Sequence, residues 1–82
     1  MRLDKYLKIS RLIKRRTVAN EACDAQRVKV NGRPARASYD VKPGDILELS
    51  LGGHVLRAEV LDAPAYTTKE GASALYRILE EN

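Results

Sequence analysis

The chain contains neither Trp nor Phe, and only one Cys, one His and three Pro among its 82 residues. Each scarcity closes off a class of function. One thiol excludes an internal disulfide and leaves no cysteine set for a structural metal, which makes the cytosol the simplest compartment. Without Trp or Phe there is no apolar face suited to a membrane interface and no platform on which successive bases could stack. Charges interrupt every apolar cluster, so no run approaches a bilayer span and the start does not read as a secretory signal; no membrane partner is expected. There is no internal repeat, low-complexity tract or linker. Eighty-two residues are also too few to enclose a deep substrate cavity. The expectation is one domain over residues 1–82, with its core at about 2–62, that binds rather than catalyses and needs no cofactor or metal.

Positive charge is what the chain has in quantity, and it is placed unevenly. From Met1 to Lys42 twelve Lys and Arg stand against four Asp and Glu, a net of +8; from Pro43 onward three stand against seven, a net of −4. Asp4 is the only acid among the first sixteen residues, beside Arg2, Lys5, Lys8, Arg11, Lys14, Arg15 and Arg16. Such a surface repels itself unless an anion covers it, and nucleic acid is the commonest polyanion, because counterions released from its backbone drive binding without any particular base sequence. Arginine suits phosphate through its planar fork of donors. Catalysis has little support: His54 lies at an expected hairpin turn with no acid or cysteine at motif spacing, and Cys23 lies on the expected inner face of a helix, where a thiol acts as a small hydrophobe.

Periodicity organises the rest. Leu3, Tyr6 and Leu7 predict a helix over about 3–9, with Tyr6 packed in the core rather than stacked on a base. Residues 10–14 read as a turn or as a continuation; if helical, Lys8, Arg11, Lys14 and Arg15 form a stripe. A second helix is expected from residue 15 or 16 to 25, burying Val18, Ala19, Ala22 and Cys23. Gln26-Arg27 must then reverse the chain without a glycine, and a left-handed cap at Gln26 would cost about 1 kcal/mol relative to Gly.

Val28-Lys29-Val30 alternates and runs into Asn31-Gly32, a strong two-residue hairpin signal that brings Lys29, Asn31 and Arg33 to the edge of the basic surface, with Arg36 and Lys42 as extensions. Pro34 limits its strand to an edge. Lys42-Pro43-Gly44-Asp45 predicts a type II turn, and Leu47, Leu49 and Leu51 followed by Gly52-Gly53 and Leu56, Ala58 and Val60 predict a meander. Thr67 and Glu70 fit a capping box ahead of a short C-terminal helix over about 67–81, with Ala72, Leu75, Tyr76 and Leu79 on one stripe. The fold class is α+β.

The run Arg2-Leu3-Asp4-Lys5, Leu7, Arg11, Lys14, Arg16, Ala19, Val28, Asn31-Gly32 and Val41-Lys42-Pro43-Gly44-Asp45 resembles the S-four RNA-binding domain. The likeness is greatest to its stand-alone bacterial members, the RqcP-type ribosome quality control factors and their heat-shock relatives. Gln26 departs from the pattern, since many members carry glycine there.

The resemblance implies two helices followed by a small, mostly antiparallel twisted sheet. It further implies a cytoplasmic factor, monomeric when free, that binds the dissociated large ribosomal subunit through its rRNA and holds peptidyl-tRNA while an RqcH-like tailing factor adds alanines to the stalled chain. The implied RNA contacts are Arg2, Lys5, Lys8, Arg11, Lys14, Arg15, Arg16, Lys29 and Asn31, to which the hairpin adds Arg33. The alternatives are a heat-shock-type factor that recycles large subunits without tailing, an RNA-holding subunit of a separate RNA-modifying enzyme, and a domain that binds DNA nonspecifically.

Overall fold

In a computed structural model, which describes residues 1–64 and 71–81, two helices cover one face of a five-stranded antiparallel sheet. The helices are α1 (Leu3–Ile9) and α2 (Arg16–Asp24). The strands are β1 (Val28–Val30), β2 (Arg33–Pro34), β3 (Ile46–Leu51), β4 (His54–Val60) and β5 (Tyr76–Glu81), in the order β2-β1-β3-β4-β5.

Helix α1 buries Leu3, Tyr6 and Leu7 and stops at Ser10, because Arg11 turns left-handed at φ 64°. Its N–H reaches back to the Lys8 carbonyl at 3.1 Å and that of Ile13 to Leu7 at 3.0 Å. Residues 10–14 are therefore a turn, and the helical stripe of Lys8, Arg11, Lys14 and Arg15 does not form. Helix α2 buries Ala19, Ala22 and Cys23 but leaves Val18 exposed, against expectation, since Val18 lies on the flank turned away from that seam. The chain reverses at Gln26-Arg27, and Gln26 does take the left-handed cap, at φ 60°; the N–H groups of Gln26 and Arg27 bond the carbonyls of Cys23 (3.0 Å) and Ala22 (2.9 Å), the paired closure of a Schellman motif.

Asn31 and Gly32, at φ 54° and 85°, make the tight turn between β1 and β2, and Pro34 sits on the edge. The 42–45 turn closes through Asp45 N–H to the Lys42 carbonyl at 3.1 Å, with Gly44 at φ 95° as a type II turn requires. Register puts Val28 opposite Leu49 and Leu47 opposite Ala58, all buried toward the helices. Lys29 opposite Glu48, and Glu48 opposite Arg57, point to the other face. At the start of the chain, Leu3 N–H bonds the Tyr39 carbonyl and Val41 N–H the Met1 carbonyl, both at 2.8 Å, which straps α1 to the 37–41 segment.

The C-terminal segment differs from expectation. Tyr76–Glu81 is strand β5, not helix: Tyr76 pairs with Val60 and Ile78 with Ala58, while Arg77 forms an ion pair with Glu59. The stripe of Ala72, Leu75, Tyr76 and Leu79 has helical spacing, but Tyr and Ile at alternate positions suit a pleated edge, and β4 offers a full row of unpaired backbone groups to meet them. Among the described residues of this segment, only Ala72–Ala74 coils, as a single 3-10 turn that buries Ala72 and leads into buried Leu75. The capping box at Thr67 and Glu70 lies outside the described residues. Tyr6 is wholly buried, as expected, and its hydroxyl donates to the Leu75 carbonyl at 2.8 Å.

Candidate nucleic-acid interface

Asp4 occupies the first turn of α1 with its side chain only 4% exposed, although it is the sole acid of the basic segment. A buried carboxylate is costly unless it is paired and hydrogen-bonded. Here Arg2 donates through Nε (3.2 Å) and Nη2 (3.4 Å), Arg16 through Nη2 (3.4 Å) with its Nε at 3.3 Å, Asn20 through Nδ2 (3.3 Å), and the Lys5 backbone N–H at 2.8 Å. Burial alone raises the carboxyl's pKa, but the hydrogen bonds from Arg2, Arg16, Asn20 and the Lys5 amide outweigh it and bring it down to about 2. One anion thus joins the entry to α1 with the first two turns of α2.

The arginines are not consumed by this contact. Their side chains remain 51% and 48% exposed, and each commits only Nε and Nη2 to Asp4. The rest of each fork faces outward, held in orientation by a buried partner, which lowers the entropy lost when a phosphate arrives.

The other cations divide into groups. Lys5 and Lys8 follow Arg2 at intervals of three on the side of α1 away from Leu3, Tyr6 and Leu7, and exposed Arg11, Lys14 and Arg15 fill the turn into α2. These five flank the Asp4 cluster along the chain, and with Arg2 and Arg16 they make seven cations within the first sixteen residues.

Lys29 stands apart from them. On the outer face of the sheet its ammonium lies 3.8 Å from Glu48, which also meets Arg57 at 3.8 Å, and Arg57 reaches Glu80 at 3.6 Å. Charges of alternating sign cross four strands there and offset one another. Asn31 is also occupied inside the protein: its Nδ2 donates to Asp45 at 3.1 Å and its Oδ1 accepts from Ile46 N–H at 3.0 Å. The Tyr39 hydroxyl completes that knot with a 2.9 Å bond to Asp45. Arg33 is exposed on edge strand β2, and Arg36 is exposed in the loop beyond it.

Sequence reasoning marked Asp4 only as the lone acid of the basic segment and a residue of the resembling run, and missed Asn20 altogether. Their partners lie twelve and sixteen residues apart, and no local spacing announces them. Cys23 is buried, and burial, with Asp4 and Asp24 nearby, pushes its thiol up to about 11, so it stays protonated near neutral pH. Among the described residues no group of three His, Cys, Asp or Glu is placed to hold a metal ion, and no helix is long and apolar enough to cross a membrane.

Two helices with a cationic face, carried on a small antiparallel sheet, define the class of S4-domain proteins, and the S4 domain model matches residues 1–47, more than half of the chain. Over 81 residues the chain is 51% identical to a protein of Bacillus subtilis (strain 168) named RQC P-site tRNA stabilizing factor, covering 99% of this chain and 94% of that one. A protein of the same name from Streptococcus pneumoniae (strain ATCC BAA-255 / R6) is also 51% identical, over 99% of this chain and 92% of its own. The chain therefore belongs to the S4-domain family and, within it, to the family of proteins that carry this name. Among solved structures, heat shock protein 15 of Vibrio cholerae, described as trimeric, superposes with a TM-score of 0.87 at 28% identity, over 95% of this chain and 80% of that one.

Proposed function

We propose that this protein is a non-enzymatic RNA-binding factor of ribosome-associated quality control, acting in the cytoplasm on rRNA of the dissociated large subunit and on peptidyl-tRNA. The observation that carries the reading is the pair Arg2 and Arg16, held by buried Asp4 with half of each guanidinium side chain open to solvent. The name borne by relatives half identical to this chain over almost its full length supports both the tRNA and the quality-control setting. The contact set is Arg2 and Arg16 at its centre, with Lys5, Lys8, Arg11, Lys14, Arg15 and Arg33 around them. Lys29 and Asn31 are left out because Glu48 and Asp45 engage their polar atoms. The finer role is to hold the tRNA while an RqcH-like factor extends the stalled chain.

The test is binding to purified large subunits, with and without P-site tRNA, as salt is raised. Affinity should fall steeply with ionic strength and rise when the tRNA is present. Equal affinity with and without tRNA removes the tRNA half of the reading, and salt-independent binding removes its electrostatic basis. The superposition on heat shock protein 15 favours a second reading, a heat-shock-type factor that recycles stalled large subunits without tailing. Alanine addition in a reconstituted reaction, measured with and without this protein, separates the two.

A further inference from the structure

A cleft of about 520 Å³ opens between the C-terminal half of α2 and the loop that follows β2, with Arg2, Asn20, Asp24, Gln26 and Arg36 on its walls. Two kinds of group line it. Asn20 sits beside Arg2, both bonded to Asp4, and Arg36 adds an exposed guanidinium from the loop. Asp24 lies one helical turn beyond Asn20, about 6 Å along α2, and Gln26 follows it. The cleft thus joins two guanidinium groups to a carboxylate and an amide at the close of α2.

The close of α2 is locally unfavourable for the fold. Asp24 is the last residue of α2, where the helix dipole repels an acid, and that last turn carries no basic residue to offset it. Gln26 holds φ 60°, a conformation in which glycine would cost about 1 kcal/mol less. Two departures from the most stable choice within three residues, both lining one cleft, are expected where a site is built.

We propose that this cleft seats one unpaired nucleotide of the bound RNA, its phosphate between Arg2 and Arg36 and its base edge against Asp24 and Gln26. The inference rests on the RNA-binding reading above and adds the form of RNA recognised. A carboxylate needs adjacent N–H donors, and guanine is the base whose Watson–Crick edge presents a ring N–H beside an amino group. The Gln26 amide and the Oδ1 of Asn20, whose Nδ2 is bonded to Asp4, suit the neighbouring acceptor and donor positions. A duplex conceals that edge, so the nucleotide comes from a loop, bulge or end.

The experiment is titration of the isotope-labelled full chain with the four ribonucleoside 5′-monophosphates and with inorganic phosphate, read by amide chemical shifts. GMP should perturb Asn20, Asp24, Gln26 and Arg36 at concentrations about five to ten times lower than UMP requires, the worth of one modest bidentate contact. Asp24→Asn should abolish that preference. General electrostatics predicts only tighter binding of all four nucleotides to this variant, since it removes a negative charge. Equal response to the four nucleotides, or to phosphate alone, overturns the proposal, as does a preference that survives Asp24→Asn. Gln26→Gly, which the backbone favours, should weaken large-subunit binding while the protein stays folded. Unchanged subunit binding by this variant sinks the cleft and leaves the general reading standing, whereas wild-type protein that ignores large subunits sinks the general reading instead.

Discussion

The guanidinium of Arg16 stands 3.3 Å from the carboxylate of Asp4, a residue of the other helix twelve positions earlier in the chain. The contact fixes the crossing of α1 and α2 at the place where charge is densest. It makes one buried acid responsible for the geometry of two arginines, because Arg2 bonds the same group.

Replacing Arg16 or Arg2 by Ala should weaken binding to large subunits by about 1–3 kcal/mol and lower the log–log salt slope by about 1, read from affinities at several salt concentrations. Arg16→Lys should recover little of this, since an ammonium cannot present Nε and Nη2 together. Full recovery by Lys would show that charge alone matters there.

Acid should act through Asp4. Its folded pKa of about 2 lies below the ordinary 3.8, so as pH falls the unfolded chain takes up the proton first. The stabilisation is complete above about pH 4 and is lost as pH falls through 2; it is on the order of 1 kcal/mol after allowance for solvent screening of the half-exposed arginines. Urea midpoints at pH 6, 4 and 2.5 should fall more steeply for wild type than for Asp4→Asn. Parallel curves would assign the acid sensitivity to other carboxylates.

Arg11→Gly should change stability and binding in opposite directions. Glycine relieves the left-handed backbone at φ 64° and should stabilise the fold by about 1 kcal/mol, while the lost cation reduces the salt slope by about 1. Thermal unfolding and subunit binding, measured on the same preparation, check both halves.

Lys29→Gln should leave RNA affinity within experimental error, because Glu48 and Arg57 already balance that face of the sheet. Lys14→Gln, on the interhelix turn, should weaken it and flatten the salt slope. Equal losses in both variants would extend the interface to the far side of the sheet.

Turns and strand faces were legible in the sequence because their chemistry is local. Asn31-Gly32 and Pro43-Gly44 dictate their own backbone angles, and the alternation of Leu47, Leu49, Leu56, Ala58 and Val60 sets which side is buried. The reversal at Gln26-Arg27 followed from where α2 had to stop, and the left-handed angle that Gln26 adopts there is the structure's addition. The last strand was not legible, since a helix-spaced stripe says nothing about an open sheet edge that other residues have created, and Tyr76 and Ile78 answer to Val60 and Ala58 rather than to their own neighbours. The Asp4 cluster was hidden for the same reason. Reading it requires Arg16 and Asn20 to be brought beside α1, and folding alone does that.

The hydroxyl of Tyr6 finds its acceptor at Leu75, sixty-nine residues later in the chain. The first helix is thus tied to the segment that leads into the last strand, a non-local contact whose loop-closure entropy is met only once both have come together over the sheet.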